Sequence, residues 1–361
     1  MPLDDWSIIL TDVDGVPLAD LTAEAQDIKL TFRLRGQHEA TWTVDGHSQL
    51  ARATQELLCD VVIVWRSMRL ARLRVTQSSD DIGAEGHTVT FAAIDYRGMM
   101  ARRFTRGGQT LTGDVATLVW DLIYWTQTQS TPAGGDWGIT LGTKPAISNV
   151  TAYPVPAARP FKELFEELAE QTYPGFDWEI DADLRYQVWT FRGTQRPFAL
   201  EWGGNVINVK RDVDPSLYTN YVRQSGADGV ASAYRGVADL AARAEGRIEA
   251  AEGNPDLATA AQVGNAADAY LTRHSTLLPG YALSLEPGSW DPVQFWLGDM
   301  APLVVRSGRL DVHSIERVFE IAVDIDANGE QAVELTFGDL REDLLALVRK
   351  LPPRLDRLYR N

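Results

Sequence analysis

The sequence predicts a β-rich α+β protein in which two small β-barrel domains flank an α/β insert. In the first and last thirds of the 361 residues, apolar and polar residues alternate with a period of two, as they do in half-buried strands. Between these regions, two stretches carry apolar residues at helical spacing. Turn signals separate the short strands, which is typical of barrels and sandwiches. A chain of this length also has room for more than one core.

The first β-barrel domain is predicted over residues 1–105. Its strand signals are five short runs: 28–34, 40–44, 61–65, 70–77 and 87–95. The run 61–65 is apolar throughout, which is typical of a strand covered on both faces. A short helix is expected near 96–103, where the domain ends.

The α/β insert is predicted over residues 106–203. Two helices are expected in it, because apolar residues recur there at the spacing of one helix face. The first would be capped by Thr112 or Asp114 and run to Trp125, and the second would begin at Pro160 and stop at 173–175. The two stripes are Val115, Leu118, Val119 and Leu122, and Phe161, Leu164, Phe165 and Leu168. A hairpin with strands at 176–180 and 184–191 is expected to follow.

The second β-barrel domain is predicted over residues 204–339, with a helical excursion at about 237–275. An Ala-rich composition indicates the excursion, within which residues 255–274 have the pattern of a helix. A C-terminal helix and a short amphipathic tail are expected over 340–361.

The closing hairpin of the second domain has the clearest strand pattern. Phe319, Ile321 and Val323 alternate with acidic residues, and the chain turns through Asn328-Gly329, a favoured hairpin dipeptide. We therefore expect Phe319 to face the core and its truncation to open a cavity. The opposite face carries three acidic side chains: Glu320, Asp324 and Glu334.

Composition and charge disfavour several classes of protein. The net charge of −16 argues against a nucleic-acid-binding surface and against attachment to anionic lipid. Cys59 is the single cysteine, so an intrachain disulfide and a cysteine-rich zinc site are excluded, and we expect a buried thiol. The N-terminal residues lack the pattern of a signal peptide, and no apolar run has membrane-spanning length.

Cofactor and metal motifs are weak. Asp324, Asp326, Asn328 and Gly329 match the first half of a calcium loop, but Leu335 occupies the position that needs a bidentate glutamate. Hairpin chemistry explains the same residues without a metal. A shorter version at residues 12–15 is interpreted as a polar turn. Histidine pairs, nucleophile elbows and phosphate-binding loops are missing from the sequence, so we predict no catalytic residue and no cofactor.

Two groups of residues suggest a glycan-binding or glycan-cleaving protein as an alternative. Asp177 and Glu179 lie on one face of a predicted strand, as a pair of catalytic carboxylates would, although a solvated face explains them more simply. Trp290 and Trp296 lie in a loop-like segment and are candidate interface anchors. Most of the other tryptophans occupy inward positions of strands and are expected in the core.

Three stretches of the chain resemble minor tail proteins of long-tailed actinobacterial phages, of the baseplate-hub type. Residues 32–77 and TVTFAAIDYRGMMARRF (88–104) are similar to the opening barrel of that family, which closes with a D-y-r motif. Residues 159–189 are similar to its helix-plus-hairpin insert. Residues 296–338 are similar to its closing barrel, where "GD" precedes a strand and "RV" begins the last hairpin.

This resemblance implies a structural virion protein and no enzyme. The hub fold of the family places two barrels per subunit in a homotrimer, which joins a hexameric tail tube to a three-fold tip. The implied partners are a distal tail or tail tube protein, the tape-measure protein and other tip or fibre proteins. Phage DNA would pass through without specific binding, and Glu320, Asp324 and Glu334 would line the channel or meet the next subunit. The implied location is the virion, with assembly in the host cytoplasm. A hexameric distal tail protein is the alternative within the same particle.

Overall fold

The computed structural model describes most of the chain between residues 5 and 338. The described ranges are 5–22, 24–84, 86–107, 110–128, 135–147, 149–155, 157–171, 176–213, 215–255, 257–276 and 279–338. The predicted helix and tail over 340–361 lie outside these residues. The described residues form two compact units. The first contains the described residues of 1–209 and 282–337, and the second contains those of 210–281.

Strands are the most abundant secondary structure among the described residues. In chain order they are β1 Trp6–Asp12, β2 Pro17–Asp20, β3 Ile28–Arg33, β4 Glu39–Asp45, β5 Cys59–Trp65, β6 Met68–Gly83, β7 Gly86–Asp95, β8 Phe104–Arg106, β9 Thr110–Asp114, β10 Thr140–Leu141, β11 Asn149–Pro154, β12 Ala157–Pro160, β13 Asp177–Ile180, β14 Arg185–Trp189, β15 Leu200–Glu201, β16 Val206–Asp212, β17 Tyr221–Ser225, β18 Ala233–Gly236, β19 Glu249–Gly253, β20 Gly280–Leu285, β21 Met300–Ser307, β22 Leu310–Ile325 and β23 Gln331–Phe337.

Five α-helices and three 3₁₀ turns accompany the strands in the described ranges. The helices are α1 Gln49–Ala53, α2 Tyr96–Met99, α3 Val115–Thr128, α4 Phe161–Gln171 and α5 Ala260–His274. The 3₁₀ turns are Met100–Arg102, Pro215–Leu217 and Leu240–Ala242. None of the described helices is long and apolar enough to cross a membrane.

Strands from both ends of the chain share one sheet. Its order is β16-β20-β23-β22-β3-β4-β7-β6-β5-β1-β2, with β21 and β15 attached beside β22. The joint between the early and the late strands is antiparallel pairing of β22 with β3, from Glu320 opposite Arg33 to Ile325 opposite Ile28. The β-rich prediction is confirmed, whereas two closed barrels are not found among the described strands. The predicted domain boundaries stay a prediction.

The sheet contains the same strand order twice. β3-β4-β7-β6 forms a first module, and β16-β20-β23-β22 forms a second module in the same direction along the sheet. In each module the last two strands are a hairpin, and the longer strand has 16 residues. Both long strands contain a bulge, in β6 between Val75 and Gln77 and in β22 between Val318 and Glu320.

The alternation of burial along the strands follows the alternation in the sequence. In β3, Ile28, Leu30 and Phe32 are buried and the residues between them are more exposed. The apolar run in β5 is an exception to its prediction, because Val62 and Val64 are only half-buried. Its outer face is therefore partly open, and the run does not indicate coverage on both faces.

The bulge in β22 overturns the prediction for Phe319. Val318 is fully buried opposite Phe337. The bulge adds one residue to β22, so the buried positions change from even to odd numbers, and Ile321 and Val323 are the next buried residues. Phe319 is half-buried outside this series. A bulge places two residues of one strand opposite one residue of its partner, which period-2 reasoning does not anticipate.

The insert has its own core of helix and hairpin residues. The predicted stripe residues of α3 and α4 are all buried, and all except Leu118 belong to one core with Trp178, Tyr186 and Val188 of the β13–β14 hairpin. Both helices and the hairpin are therefore confirmed close to their predicted bounds. Asp181 closes the hairpin by accepting bonds from the amides of Asp183 and Arg185.

The second unit contains a three-stranded sheet of order β18-β17-β19, and α5 packs against it. Val222 of β17 and Val263 and Ala267 of α5 are its most buried apolar side chains. The helix begins later than predicted, because Thr259 and Gln262 form a capping box at its start. Residues 249–253 form the strand β19, so the region 237–275 is not helical throughout.

Candidate functional site: a buried ionic junction

Asp177 is the centre of a junction between the insert and the large sheet. Its side chain is almost fully buried, and it accepts bonds from Arg317 Nη2 at 2.5 Å, from Arg35 Nε at 3.4 Å and from the Arg192 amide at 2.9 Å. Arg35 follows β3 and Arg317 belongs to β22, 142 and 140 residues away in the sequence. The carboxylate therefore connects three distant segments.

Glu179 lies beside Asp177 on the same strand face and is also ion-paired. It accepts a bond from Arg192 Nη1, and its Oε2 lies 3.7 Å from His38 Nε2. Burial acts to raise the pKa of Glu179, but the positive charge of Arg192 and the His38 contact outweigh it and lower the pKa to about 2. His38 Nδ1 accepts a bond from the Arg33 amide at 3.1 Å, so the ring proton is on Nε2, towards Glu179.

These contacts decide between the two interpretations of Asp177 and Glu179. The solvated-face interpretation is wrong, because Asp177 is 3% exposed and the Glu179 side chain is 12% exposed. The arrangement also does not fit glycosidic acid catalysis, which needs a carboxyl whose pKa is raised so that it carries a proton near neutral pH. The Glu179 carboxyl has the opposite shift. The pair therefore holds segments together.

Arg317 connects the closing strand to the loop after β14. Its guanidinium lies 3.8 Å from the ring centroid of Phe191, and it donates to the Arg192 carbonyl at 2.8 Å and the Gly298 carbonyl at 3.2 Å. A planar guanidinium can stack on a ring and donate in its own plane at the same time. This geometry gives the "RV" dipeptide, noted in the sequence only as a pattern, a structural role.

The "GD" dipeptide before β21 binds the same loop. Asp299 is buried and accepts bonds from the Thr194 amide, from Arg196 Nε and from the Trp296 amide, at 2.8, 2.8 and 2.9 Å. Gly298 has a φ of +85°, and a Cβ there would lie 2.5 Å from the Arg192 carbonyl oxygen. Only glycine fits this close approach of two backbones.

The D-Y-R residues Asp95, Tyr96 and Arg97 make three separate buried connections. Asp95 accepts bonds from the His38 and Gly98 amides at 2.9 and 2.7 Å, and burial raises its pKa. Tyr96 donates to Asp60 at 2.8 Å, and burial raises the pKa of its hydroxyl. Arg97 stacks 4.4 Å from the Trp178 ring and donates to the Trp178 carbonyl at 3.0 Å. The motif thus joins the sheet to the insert.

The two candidate anchor tryptophans belong to a cluster of stacked rings. Trp290 is 3% exposed and its Nε1 donates to the Phe295 carbonyl at 3.2 Å, so it is a core residue and not an exposed anchor. Trp296 is half-buried, 6.1 Å from Trp290 and 5.0 Å from Phe32 between ring centroids. Trp6 stacks on Trp290 from the N-terminal strand at 6.2 Å.

The three acidic candidates of the closing hairpin share one sheet face but differ in environment. Asp324 and Glu334 are exposed. Glu320 is mostly buried and bonded to Arg33 Nε at 2.8 Å, so its charge is compensated within the chain. Asp324 lies opposite Lys29 of β3.

The calcium-like residues form a turn. Asp326 Oδ1 accepts bonds from the Asn328 and Glu330 amides at 2.9 and 2.8 Å, and these backbone bonds lower its pKa. Asp12 bonds the Asp14 and Val16 amides in the same way. Such aspartate turns account for the motif, and no group of three or more possible metal ligands occurs in the described residues.

Comparison with known proteins identifies the fold. The sequence matches no protein-family model and no curated protein. Among solved structures, the chain resembles the 43 kDa tail protein of prophage MuSo2 from Shewanella oneidensis, with a TM-score of 0.65 at 13% identity, over 92% of this chain and 97% of that one. The tail protein from Neisseria meningitidis MC58 gives 0.64 at 8% identity, over 92% and 96%. Prophage tail protein gp18 from Listeria monocytogenes EGD-e gives 0.62 at 12% identity, over 97% and 99%.

Proposed function

We propose that this chain is a structural protein of a phage tail, and that it acts as the tail-tip hub. The observation that carries the proposal is the extent of the likeness: each of three phage-type tail proteins shares the fold over at least 92% of both chains. A fold by itself does not specify an activity. Here the carboxylate pair that could have supported an enzyme is held in ion pairs, which is consistent with a structural role.

The repeated module supports the proposed three-fold assembly. A chain with two modules of the same strand order presents two similar surfaces, so three copies would present six. Three copies would thereby match a six-fold tail tube on one side and a three-fold tip on the other. A hexameric distal tail protein would place twelve such modules around the axis, and we therefore favour three copies.

The proposed partners are a distal tail or tail tube protein, the tape-measure protein and other tip or fibre proteins. Phage DNA would pass through the ring without being bound, since the net charge of −16 repels phosphate. The exposed Asp324 and Glu334 are candidates for the channel lining. We propose the virion tail tip as the location, with assembly in the host cytoplasm and no stable membrane association. Actinobacterial origin stays a prediction from the sequence resemblance.

Counting copies in purified virions tests the proposal. Quantitative mass spectrometry, scaled to the major tail protein of the same particles, should give three copies per virion. Six copies would favour the distal tail alternative, and absence from washed virions would contradict both. Deleting the gene should also leave particles without a complete tip, while heads and unattached tape-measure protein still accumulate.

A further inference from the structure

Half of the longest strand in the first module has an open edge. β5 pairs with the early part of β6, ending at Asp60 opposite Arg74, and the Leu57 amide makes a last bond to the Val75 carbonyl at 2.8 Å. Beyond this point β6 pairs with β7 on one side, and no other described strand lies on the side vacated by β5. Ile82 in this segment is 76% exposed.

The direction of the backbone groups on this edge follows from the hydrogen bonds that β7 makes. The Gly46 amide donates to the His87 carbonyl at 2.8 Å, and the Asp95 amide donates to the His38 carbonyl at 3.0 Å. Odd-numbered residues of β7 thus point their N–H and C=O groups towards β4, and even-numbered ones point theirs towards β6. The register then leaves the backbone groups of three β6 residues directed outward: Ser78, Asp80 and Ile82.

The second module shows what occupies the equivalent edge. When the bulges of the two long strands are aligned, Arg74-Val75 falls on Arg317-Val318, and Asp81-Ile82 falls on Asp324-Ile325. In β22 this edge is paired with β3, the first strand of the other module, and Ile325 is only 2% exposed. The open edge of β6 therefore lacks the strand that β3 supplies to β22.

The counterpart of β3 in the second module is β16. It is the first strand of that module, and the described sheet order ends there. Just before β16, the Asn205 carbonyl accepts a bond from the Glu286 amide at 3.0 Å, so odd-numbered residues of β16 point their backbone groups towards β20 and Asn208 and Lys210 direct theirs outward. In the internal joint, acidic Asp324 lies opposite Lys29. At the two open edges, Asp80 of β6 lies 2.9 Å from His87 and Lys210 of β16 lies 2.8 Å from Asp212, so the pairing follows from the repeated strand order and not from charge.

We propose that β6 of one copy pairs antiparallel with β16 of the next copy, reproducing between chains the joint that β22 and β3 make within one chain. The contact is head-to-tail, so it builds a ring when its rotation closes. Ile82 becomes buried in it, as its counterpart Ile325 is in the internal joint. The inference deepens the proposed hub function and rests on it only for the number of copies in the ring.

A proline at Ile82 tests the contact in the full-length protein. Proline on an edge whose N–H points outward removes a donor for the incoming strand without removing a bond between β6 and β7. Ile82→Pro should convert the assembled protein to monomer in light scattering coupled to size exclusion, with unchanged circular dichroism. A wild-type chain that stays monomeric, or an Ile82→Pro variant that assembles like wild type, would overturn the pairing.

Ile315 of β22 provides the matched control. The Val318 carbonyl accepts a bond from the Gly298 amide, and the Val318 amide donates to the Asp299 carbonyl, so even-numbered residues in this part of β22 point their backbone groups towards β21. Odd-numbered residues, Ile315 among them, therefore point their N–H groups away from β21. Ile315 is 54% exposed on a strand of the same length, but it is not part of the proposed joint. Ile315→Pro should leave assembly intact, and loss of the ring in this variant would contradict the assignment of the edge.

A mixing experiment tests the head-to-tail direction. Ile82→Pro blocks the β6 edge, and Asn208→Pro removes an outward N–H from the β16 edge, so each variant alone should be monomeric. Each still carries one intact edge, and an equimolar mixture should give a heterodimer and no larger species. Failure to form the heterodimer would overturn the pairing of these two strands. If the two strands do not pair but the protein is found at the tail tip of virions, the joint is refuted and the proposed function stands. If the ring forms in solution but the protein is absent from virions, the joint stands and the proposed function is refuted.

Discussion

Single residues of the ionic junction determine how firmly the insert is attached. Asp177 and Arg317 are largely buried, and Arg317 also stacks on the Phe191 ring and donates to the Arg192 carbonyl. Burying a charge is costly unless a partner compensates it, so removal of one partner costs more than the pair itself contributes. The residues involved lie far apart in the sequence, which is why none of these pairs could be predicted from local pattern.

Removing Arg317 should strongly destabilise the first unit. Arg317→Ala leaves the Asp177 carboxylate buried with its closest partner missing, and we expect a loss of about 3–5 kcal/mol in the free energy of unfolding. Denaturant titration measures this loss. Arg69→Ala, which removes an exposed pair with Asp183, serves as the control and should cost no more than about 1 kcal/mol. Equal losses in the two variants would contradict a junction held by Arg317.

Glu179 should make stability depend on pH in the acid range. Its pKa is about 2 in the folded chain, below the ordinary value of 4.5, so the folded state binds the proton less readily than the unfolded state. The stabilisation is complete above about pH 4.5 and is lost as the pH falls towards 2. Glu179→Gln should flatten the fall in unfolding free energy across this window, relative to wild type. Parallel pH profiles for the two proteins would disprove this assignment.

At the scale of helices and strands, the sequence predicts only some of the observed elements. The periodicity of α3, α4 and the β13–β14 hairpin is local, so the sequence predicts them close to their observed bounds. The pairing of β22 with β3 joins residues that are far apart in the sequence, such as Glu320 and Arg33 at 287 positions. Neither this pairing nor the bulge in β22 can be predicted from the local pattern. Local alternation therefore placed Phe319 in the core, although the bulge removes it.

The bulge predicts unequal effects of two neighbouring truncations. Ile321→Ala should cost about 2–5 kcal/mol in unfolding free energy, because the side chain is fully buried. Phe319→Ala should cost about 1 kcal/mol, chiefly through its ring contacts with Arg35 and Arg317 at 5.8 and 5.7 Å. Thermal or denaturant unfolding measures both. A larger loss of unfolding free energy for Phe319→Ala than for Ile321→Ala would contradict the placement of Phe319 outside the core.

At the scale of the whole molecule, the repeated strand order links the fold to the proposed ring. The long strands of the two modules share two short matches, Arg74-Val75 with Arg317-Val318 and Asp81-Ile82 with Asp324-Ile325, and little else. The repeat is therefore visible only in the sheet order. The resemblance to tail hubs predicted the class of fold from scattered motifs. The structure assigns those motifs to contacts that hold distant segments together, whereas Trp290 proves to be core and Glu320 an internal ion pair.

A reconstruction of the tail tip in intact virions tests the proposed hub function. We expect three copies of this chain in one ring between the tail tube and the tip, with six modules around the channel and β6 of each copy beside β16 of the next. Density for this chain outside the tail tip, or a ring of six copies, would contradict the hub assignment.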